Sequence, residues 1–330
     1  MTKPTVVLTR RLPDAVVRAA MERFDVRTNL EDRRFSADEM RTALREADGI
    51  ICTLGDPLRV GVLGGGPWRT RILASFGAGT DHIDLAAARA SGMVVTNTPG
   101  ELTEATADLA MALILMATRR LGEGERELRA GQWTGWRPTH LLGSSIQGKT
   151  LGIIGFGRIG QATARRAHLG FGMNILYSGR NEVGAPRKSV TTDTTSDELD
   201  AKAVGLAELL GTSDVISLHA PATPDSIGML GAERLGLMKK GSYLINAARG
   251  SLVDEPALIA ALKSGQLAGA GLDVYPEEPT VSPELLALEN VVTLPHLGSA
   301  TLETRTAMGM RAIANLDAFF AGGTLLDPVV

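Results

Sequence analysis

The sequence predicts an α/β protein made of two doubly wound parallel-sheet domains. Short apolar runs alternate with helical patterns along nearly the whole chain, which is typical of parallel sheets covered on both faces by helices. The alternation occurs twice, once before residue 100 and again from Lys149. The chain has 330 residues, which corresponds to about two domains at roughly 150 residues each.

The elements of the first series follow from short apolar runs and from helical spacing. Ser36 and Glu39 have the spacing of a capping box and predict the start of a helix. A long helix rich in Ala, Leu and Met is predicted over 103–120. The other predicted elements of this series are strands over 5–8, 48–53, 72–76 and 93–96 and a helix over 14–24.

The second series repeats the pattern and ends in a long helix over 301–320. Its predicted strands lie at 150–154, 174–177, 215–219, 243–246, 269–273 and 291–294. A loop over 131–138 separates the two series and contains Trp133 and Trp136, two of the three tryptophans. These side chains could be core anchors, which aromatic packing slightly favours, or could cover a site or a partner.

Composition excludes several classes of protein. The net charge is −3, from 34 basic and 37 acidic residues, so the chain lacks the basic field that nucleic acid or anionic lipid requires. A single cysteine, Cys52, excludes an internal disulfide and cysteine-based metal sites. The longest apolar run, 109–117, is about half a membrane span. We expect a cytoplasmic protein with no membrane contact and no metal.

A glycine motif over 155–160 predicts a dinucleotide site. It lies between a predicted strand and a predicted helix, the context that this motif requires. Gly155 allows the tight turn, Gly157 lets a pyrophosphate approach the backbone, and Gly160 allows close packing of helix on strand. The free amides of the helix start, at Arg158 and Ile159, would bind the phosphates.

The end of the next strand bears on the choice of dinucleotide. NAD sites usually present an acidic residue there, but this chain has Ser178, Gly179 and Arg180 instead. A hydroxyl and a guanidinium suit the 2′-phosphate of NADP(H). NADP(H) is therefore the predicted cofactor, with NAD(H) as the weaker alternative if Arg180 is an ordinary surface arginine.

Several polar residues follow the carboxyl ends of predicted strands, where ligands bind in doubly wound sheets. Arg249, Glu278 and His296 come from three such ends, and His219 with Ala220 comes from a fourth. Hydride transfer to a carbonyl needs a proton donor for the developing alkoxide and a cation for the charge of the substrate. Position alone leaves His296 open between a catalytic and a structural role.

Taken together, these motifs resemble the D-isomer-specific 2-hydroxyacid dehydrogenase family over nearly the whole chain. The segments that carry the resemblance are 77–84, 96–100, 103–108, the glycine motif, 246–250, 271–274 and 295–301. Within the family, 131–138 and 177–180 are most similar to the glyoxylate/hydroxypyruvate reductases.

The resemblance implies roles for the matching residues. His296 is expected to donate a proton to the carbonyl oxygen in reduction, and Glu278, rather than its neighbour Glu277, to hold the imidazole. Arg249 is expected to bind the substrate carboxylate, together with the amides of Ala78 and Gly79. Further expected contacts are those of Leu54 with substrate, of Ala247 and Asp273 beside the nicotinamide, of Thr106 on the phosphate or hinge side, and of His219, Ala220 and Gly298 with the cofactor.

The family also implies a domain division and a homodimer. A flavodoxin-like substrate-binding domain would comprise 1–101 and 298–330, with a Rossmann coenzyme domain, 102–297, inserted into it. Substrate would bind in a cleft that excludes water. In the most similar reductases the loop that holds Trp136 reaches the active site of the partner.

The leading hypothesis is NADPH-dependent reduction of glyoxylate and hydroxypyruvate to glycolate and D-glycerate. A second enzyme hypothesis is another D-2-hydroxyacid dehydrogenase, such as a 2-ketogluconate reductase. A third is a non-catalytic dinucleotide-sensing protein. The set of Arg249, Glu278 and His296 argues against this third hypothesis, since a sensor needs no proton donor.

Overall fold

The computed structural model describes residues 2–179 and 199–330. The chain divides into two compact units, of which the first comprises Met1–Leu102 and Ser299–Val330 and the second comprises Thr103–Gly298. The second unit is therefore an insertion between the two segments of the first. No helix among the described residues is long and apolar enough to cross a membrane. The described ranges also contain no group of His, Cys, Asp and Glu side chains that could hold a metal ion.

The first unit contains a parallel sheet of five strands in the order β2-β1-β3-β4-β5. This is the flavodoxin-like order of doubly wound sheets. Its strands are β1 (Thr5–Leu8), β2 (Asp25–Thr28), β3 (Gly49–Cys52), β4 (Ile72–Ser75) and β5 (Val94–Thr96). Its helices are Asp14–Arg23, Ala37–Glu46, Val60–Leu63, Leu85–Ala90 and Leu302–Phe320.

The inner strands of this sheet, β1, β3 and β4, are largely apolar because both faces of the sheet are covered. Ile50 and Leu73 belong to the core on one face, and Ile51 and Ile72 belong to the core on the other. All four are fully buried or nearly so. Alternate residues of a strand point to opposite faces, so a sheet buried on both sides needs continuous apolar runs.

The second unit contains a parallel sheet of seven strands in the order β12-β11-β10-β9-β6-β7-β8. Its strands are β6 (Thr150–Ile154), β7 (Asn174–Ser178), β8 (Lys202–Ala203), β9 (Val215–Leu218), β10 (Ser242–Asn246), β11 (Leu267–Leu272) and β12 (Val291–Thr293). Its α-helices are Thr103–Thr118, Leu121–Arg129, Arg158–Arg165, Leu206–Thr212, Ala232–Leu237, Glu255–Lys263 and Pro283–Leu286.

This order is that of a Rossmann fold with one additional strand. The strand order reverses between β6 and β9, and in doubly wound sheets ligands bind in the crevice at that switch point. The predicted fold class, two doubly wound parallel-sheet domains, is confirmed. Every predicted strand forms, with bounds shifted by at most two residues.

Several features of the fold were not predicted, among them the short edge strand β8 (Lys202–Ala203). Strand β2 is a sheet edge with the sequence Asp-Val-Arg-Thr, and its exposed polar residues give it no apolar run. The helix predicted over 103–120 ends at Thr118, because Arg120 adopts a left-handed conformation with φ of 55°. A separate helix, Leu121–Arg129, follows and has no buried residue.

Candidate active site

Arg249, Glu278 and His296 all lie in the second unit, beyond the ends of β10, β11 and β12. Neighbouring parallel strands end at the same edge of the sheet, so the loops that follow them are adjacent. Glu278 and His296 form a direct pair, in which imidazole Nδ1 lies 2.8 Å from carboxylate Oε2. In a neutral ring that donates from Nδ1, the other nitrogen, Nε2, is the acceptor; in a protonated ring both nitrogens donate.

Glu278 is held from a second direction by the backbone. The amide of Tyr275 donates to Oε1 at 3.0 Å. Burial by itself would raise the pKa of the Glu278 carboxyl. Hydrogen bonds from His296 and the Tyr275 amide, with the charges of His296 and Arg249, outweigh burial and lower that pKa below its ordinary value. Glu278 is therefore a fixed carboxylate at neutral pH, whereas its neighbour Glu277 is exposed.

Arg249 is positioned by the residue that ends β10. Asn246 is buried, its side-chain amide donates to the Arg249 carbonyl at 2.9 Å, and its side-chain oxygen accepts from the Ala248 amide at 3.1 Å. The guanidinium of Arg249 is half-buried and donates to the Ala248 carbonyl at 2.7 Å. The loop thus keeps a cation close enough to act on the charge of Glu278.

Gly250 brings the loops that carry Arg249 and Glu278 together. A Cβ at position 250 would lie 1.9 Å from the carbonyl carbon of Tyr275 and 2.4 Å from the nitrogen of Pro276. The two backbones therefore touch where only glycine fits. Sequence reasoning had not given Gly250 a role, although it directly follows Arg249 in the motif 246–250.

His296 has a left-handed backbone, with φ of 53°, a conformation that costs a non-glycine residue roughly 1–2 kcal/mol. Asp273 holds this stretch through three hydrogen bonds. Its carbonyl accepts from the His296 amide at 2.9 Å, and its two carboxylate oxygens accept from the amides of Leu297 and Gly298 at 2.6 and 2.8 Å. Burial raises the pKa of the Asp273 carboxyl, against these hydrogen bonds and the charge of His296.

Thr106, Asp273 and Gly298 are bonded to one another. The Thr106 hydroxyl donates to the Gly298 carbonyl at 3.1 Å, and Asp273 accepts from the Gly298 amide. The resemblance implied that all three contact the cofactor. That expectation stays a prediction; in this structure the polar groups of Thr106 and Asp273 bond to the backbone of the loop that follows β12.

A cavity of about 290 Å³ lies beside the Glu278–His296 pair. Both residues line it, and its other walls are mostly apolar. These walls are formed by Tyr275, Pro279, Val281, Leu286, Thr293, Leu294 and Pro295. An apolar wall on one side of the pair excludes water there, which strengthens the electrostatic interactions of the two side chains.

The glycine motif forms a tight turn at the switch point of the second sheet. Gly155 has φ of 95°, and a Cβ there would lie 2.6 Å from the Ala220 nitrogen. A Cβ on Gly160 would lie 2.4 Å from the Gly155 oxygen. Gly157 differs, because a Cβ there would meet no atom within 4 Å. Gly155 and Gly160 are thus packed against neighbouring backbone, whereas Gly157 faces open space.

The open side fits a dinucleotide. Gly157 precedes the helix Arg158–Arg165, and the first amides of a helix have no intrahelical partner. They include the amides of Arg158 and Ile159, which face outward with the positive end of the helix dipole. A pyrophosphate would fill the space that the missing side chain of Gly157 leaves.

Other residues that the sequence predicts to contact the cofactor lie at the strand ends beside this turn. The Gly155 amide donates to the Ser178 carbonyl at 2.8 Å, Ser178 is half-buried, and Gly179 is exposed. Arg180 lies outside the described residues. Ala247 follows β10 and is half-buried.

His219, which follows β9, presents a neutral imidazole. Its Nε2 lies 2.9 Å from the Ser217 hydroxyl. Burial lowers the pKa of His219 to about 4, so the ring is uncharged at neutral pH. Its Nδ1 is buried and has no hydrogen-bond partner among the described residues. A bound ligand would supply one.

Leu54, Ala78 and Gly79 belong to the first unit and follow β3 and β4. The Asn97 side chain donates to the Ala78 carbonyl at 2.7 Å, which holds this loop. A Cβ on Gly77 would lie 3.9 Å from Leu54 Cδ2, so the two loops are in contact. Ala78 and Gly79 are half-buried.

The interpretation of Trp133 and Trp136 as core anchors is wrong for this chain. Their side chains are 51% and 83% exposed. The loop is fixed to the preceding helix, since the Gln132 amide donates to the Glu127 carbonyl at 3.1 Å and His140 Nε2 lies 2.7 Å from Glu127 Oε2. A rigid attachment with exposed indoles is typical of a surface that meets another molecule.

Comparison with known proteins gives a family match and full-length relatives. Residues 111–298 match the NAD-binding domain of D-isomer specific 2-hydroxyacid dehydrogenases. The chain is 42% identical to a glyoxylate reductase of Thermococcus litoralis over 97% of this chain and 95% of the relative. It is 37% identical to a glycerate dehydrogenase of Hyphomicrobium methylovorum over 98% of both chains.

A solved structure is similar over the same extent. It is an NADPH-dependent glyoxylate/hydroxypyruvate reductase from Sinorhizobium meliloti in complex with NADP and malonate. The TM-score is 0.84 at 35% identity, and the match covers all of this chain and 97% of the other.

Proposed function

This chain belongs to the D-isomer specific 2-hydroxyacid dehydrogenase family, and we propose that it uses NADPH to reduce glyoxylate and hydroxypyruvate to glycolate and D-glycerate. The observation that carries the proposal is the Glu278–His296 pair, next to the Arg249 loop and in the same unit as the open glycine turn. The activities of the similar glyoxylate reductase, glycerate dehydrogenase and glyoxylate/hydroxypyruvate reductase support these two substrates.

The proposed mechanism assigns each side chain one task. The bound NADPH supplies the hydride. Arg249 pairs with the substrate carboxylate and polarises the carbonyl, and the amides of Ala78 and Gly79 bind the same carboxylate. His296 donates the proton that the carbonyl oxygen needs as negative charge develops on it. Glu278 keeps the imidazole in one orientation through Nδ1, so that in the protonated ring Nε2 is the nitrogen that donates to the substrate.

The preference for NADP(H) over NAD(H) is the finer part of the proposal. Its support is that no acidic residue stands among Ser178, Gly179, Arg180 and Asn181 at the end of β7, together with the NADP complex of the Sinorhizobium relative. If Arg180 binds the 2′-phosphate, Arg180→Asp lowers the ratio of kcat/KM with NADPH to that with NADH by at least about tenfold. Initial rates with both cofactors measure this ratio, and Arg234→Asp, at an exposed position, is a control in which the ratio should not change. An unchanged ratio would show that the 2′-phosphate is held elsewhere.

We further propose that residues 1–101 and 298–330 form the substrate-binding domain, that 102–297 bind the dinucleotide, and that the enzyme is a homodimer. Support for the dimer comes from the helix Leu121–Arg129, which buries no residue, and from the exposed tryptophans that follow it. In such a dimer the partner's Trp136 would cover the substrate site.

Initial rates at 340 nm test the proposed function. Glyoxylate, hydroxypyruvate, pyruvate and 2-ketogluconate are each combined with NADPH and with NADH. Fastest turnover of the first two acids with NADPH is the expected result. Preference for 2-ketogluconate would contradict the substrate assignment, and tight NADPH binding without turnover of any acid would contradict the catalytic role of His296.

A further inference from the structure

The loop that carries His296 is bonded to a residue far away in sequence. Thr106 lies 192 residues before Gly298, and its hydroxyl donates to the Gly298 carbonyl at 3.1 Å. We propose that Thr106 is a positioning residue, which sets the backbone of His296 through Gly298 and Asp273. The inference rests on the proposed role of His296 as proton donor.

The backbone of His296 needs such support. Its φ of 53° is unfavourable for a residue with a Cβ. A strained conformation persists only where the surrounding structure over-determines it. Here Asp273 accepts hydrogen bonds from three successive amides, those of His296, Leu297 and Gly298. The carbonyl of Asp273 accepts the first of these bonds and its carboxylate the other two, which is possible only while the loop keeps its present path.

Thr106 completes this arrangement on the far side of Gly298. A Cβ on Gly298 would lie 3.3 Å from Asp273 Oδ2, 3.4 Å from Thr106 Cγ2 and 3.5 Å from Thr106 Oγ1. Gly298 is therefore enclosed between the two side chains. Thr106 is 5% exposed and lies in the first turn of the helix Thr103–Thr118, so its position is set by a rigid element. The helix thus fixes the carbonyl two residues after His296.

The same contacts leave the Thr106 hydroxyl without a proton to donate to a cofactor, because the Gly298 carbonyl accepts its single proton. The Thr106 oxygen and the carboxylate oxygens of Asp273 keep acceptor capacity. A cofactor contact of Thr106 would therefore show as a change in the Kd for NADPH, whereas a positioning role would show in proton donation.

A matched pair of variants separates these two roles. Thr106→Val removes the hydroxyl and keeps the branched shape, whereas Thr106→Ser keeps the hydroxyl. With hydroxypyruvate and saturating NADPH, we expect kcat of Thr106→Val to fall about tenfold, the effect of one lost buried hydrogen bond. Thr106→Ser should stay within about twofold of the unchanged enzyme. The Kd for NADPH, from fluorescence titration, should change less than about twofold in both.

The pH profile adds a readout that loss of packing alone would not move. His296 faces Glu278, and the charge of Arg249 acts on Glu278. The carboxyl of Asp273 is close enough to His296 for their charges to interact. We expect the limb of the kcat profile that reports His296 to shift in Thr106→Val and to return in Thr106→Ser. A Kd for NADPH that rises with kcat unchanged would overturn the proposal in favour of cofactor contact. Unchanged kcat and profile would overturn it as well.

An NMR titration keeps the test independent of turnover. The chain has only five histidines, and the spectrum of His296→Asn identifies the resonance of His296. The titration midpoint of that resonance should shift in Thr106→Val and not in Thr106→Ser. If the unchanged enzyme reduces no 2-oxo acid, the proposed function fails, while this titration still decides whether Thr106 positions His296. A midpoint that is equal in all three proteins would contradict the proposal.

Discussion

The strand-end loops of the second unit and the segment 131–138 differ in what confines them. In the strand-end loops, backbone meets backbone. Gly250 leaves no room for a side chain against Tyr275, and Gly155 leaves none against Ala220. The segment 131–138 instead exposes its two indoles and is fixed mainly through Glu127. The first region is shaped by close packing of its own chain, whereas the second leaves two large apolar side chains exposed.

The largest expected effect on activity comes from a substitution in the strand-end loops of the second unit. His296→Asn removes the proposed proton donor, and asparagine tolerates the left-handed backbone at this position. We expect kcat for hydroxypyruvate to fall about 10²–10⁴-fold, since positioned acids contribute this much. The Kd for NADPH, measured by fluorescence titration as a control, should be unchanged. A variant that retained most of its turnover would remove His296 from the mechanism.

The glycine turn allows a sharper comparison within the strand-end loops. Gly157→Ala places a methyl group in open space, so stability should hold while the affinity for NADPH falls at least about tenfold. Gly155→Ala forces a Cβ to 2.6 Å from backbone at positive φ, which should cost about 1–3 kcal/mol of stability. Thermal unfolding of both variants measures the change in stability, and titration with NADPH measures the change in affinity. If Gly157→Ala bound NADPH normally, the phosphates would lie elsewhere.

Acid stability tests the charge on Glu278. Its pKa lies below the ordinary value of 4.5, so its stabilising contribution is complete above that value and is lost as the pH falls through the lowered pKa. From about pH 5 to about pH 3, Tm of the unchanged protein should fall more steeply than Tm of Glu278→Gln. Glu277→Gln, at an exposed position, is the matched control. Parallel curves for Glu278→Gln and the unchanged protein would contradict the prediction.

The smallest expected effect lies in the exposed segment. Trp136 is 83% exposed, so Trp136→Ala should change the stability of the isolated chain by no more than about 0.5 kcal/mol. If the partner's Trp136 covers the substrate site, the variant raises KM for hydroxypyruvate. Chemical denaturation, sedimentation velocity and KM measure these effects, with Trp133→Ala for comparison. A large loss of stability would show that the indole packs within its own chain.

Much of the fold could be predicted because its elements carry local signals. The apolar runs that became β3 and β4 are continuous because both sheet faces are covered, and Ser36 with Glu39 forms the predicted capping box. Strand β2 lacks such a signal, since it is an edge strand whose partner, β1, is supplied by the tertiary structure. The end of the helix at Thr118 depends on the left-handed Arg120, a conformation that no local pattern announces.

The sequence by itself determined the fold class, the family and the identity of the residues that the strand ends bring together. These depend on periodicity and on short motifs, which are local properties of a chain. Only the tertiary structure decided that Gly250 joins two loops and that Thr106 and Asp273 bond to the loop of His296. Those contacts join residues far apart in sequence, and distances across a folded chain are set by packing rather than by neighbouring residues.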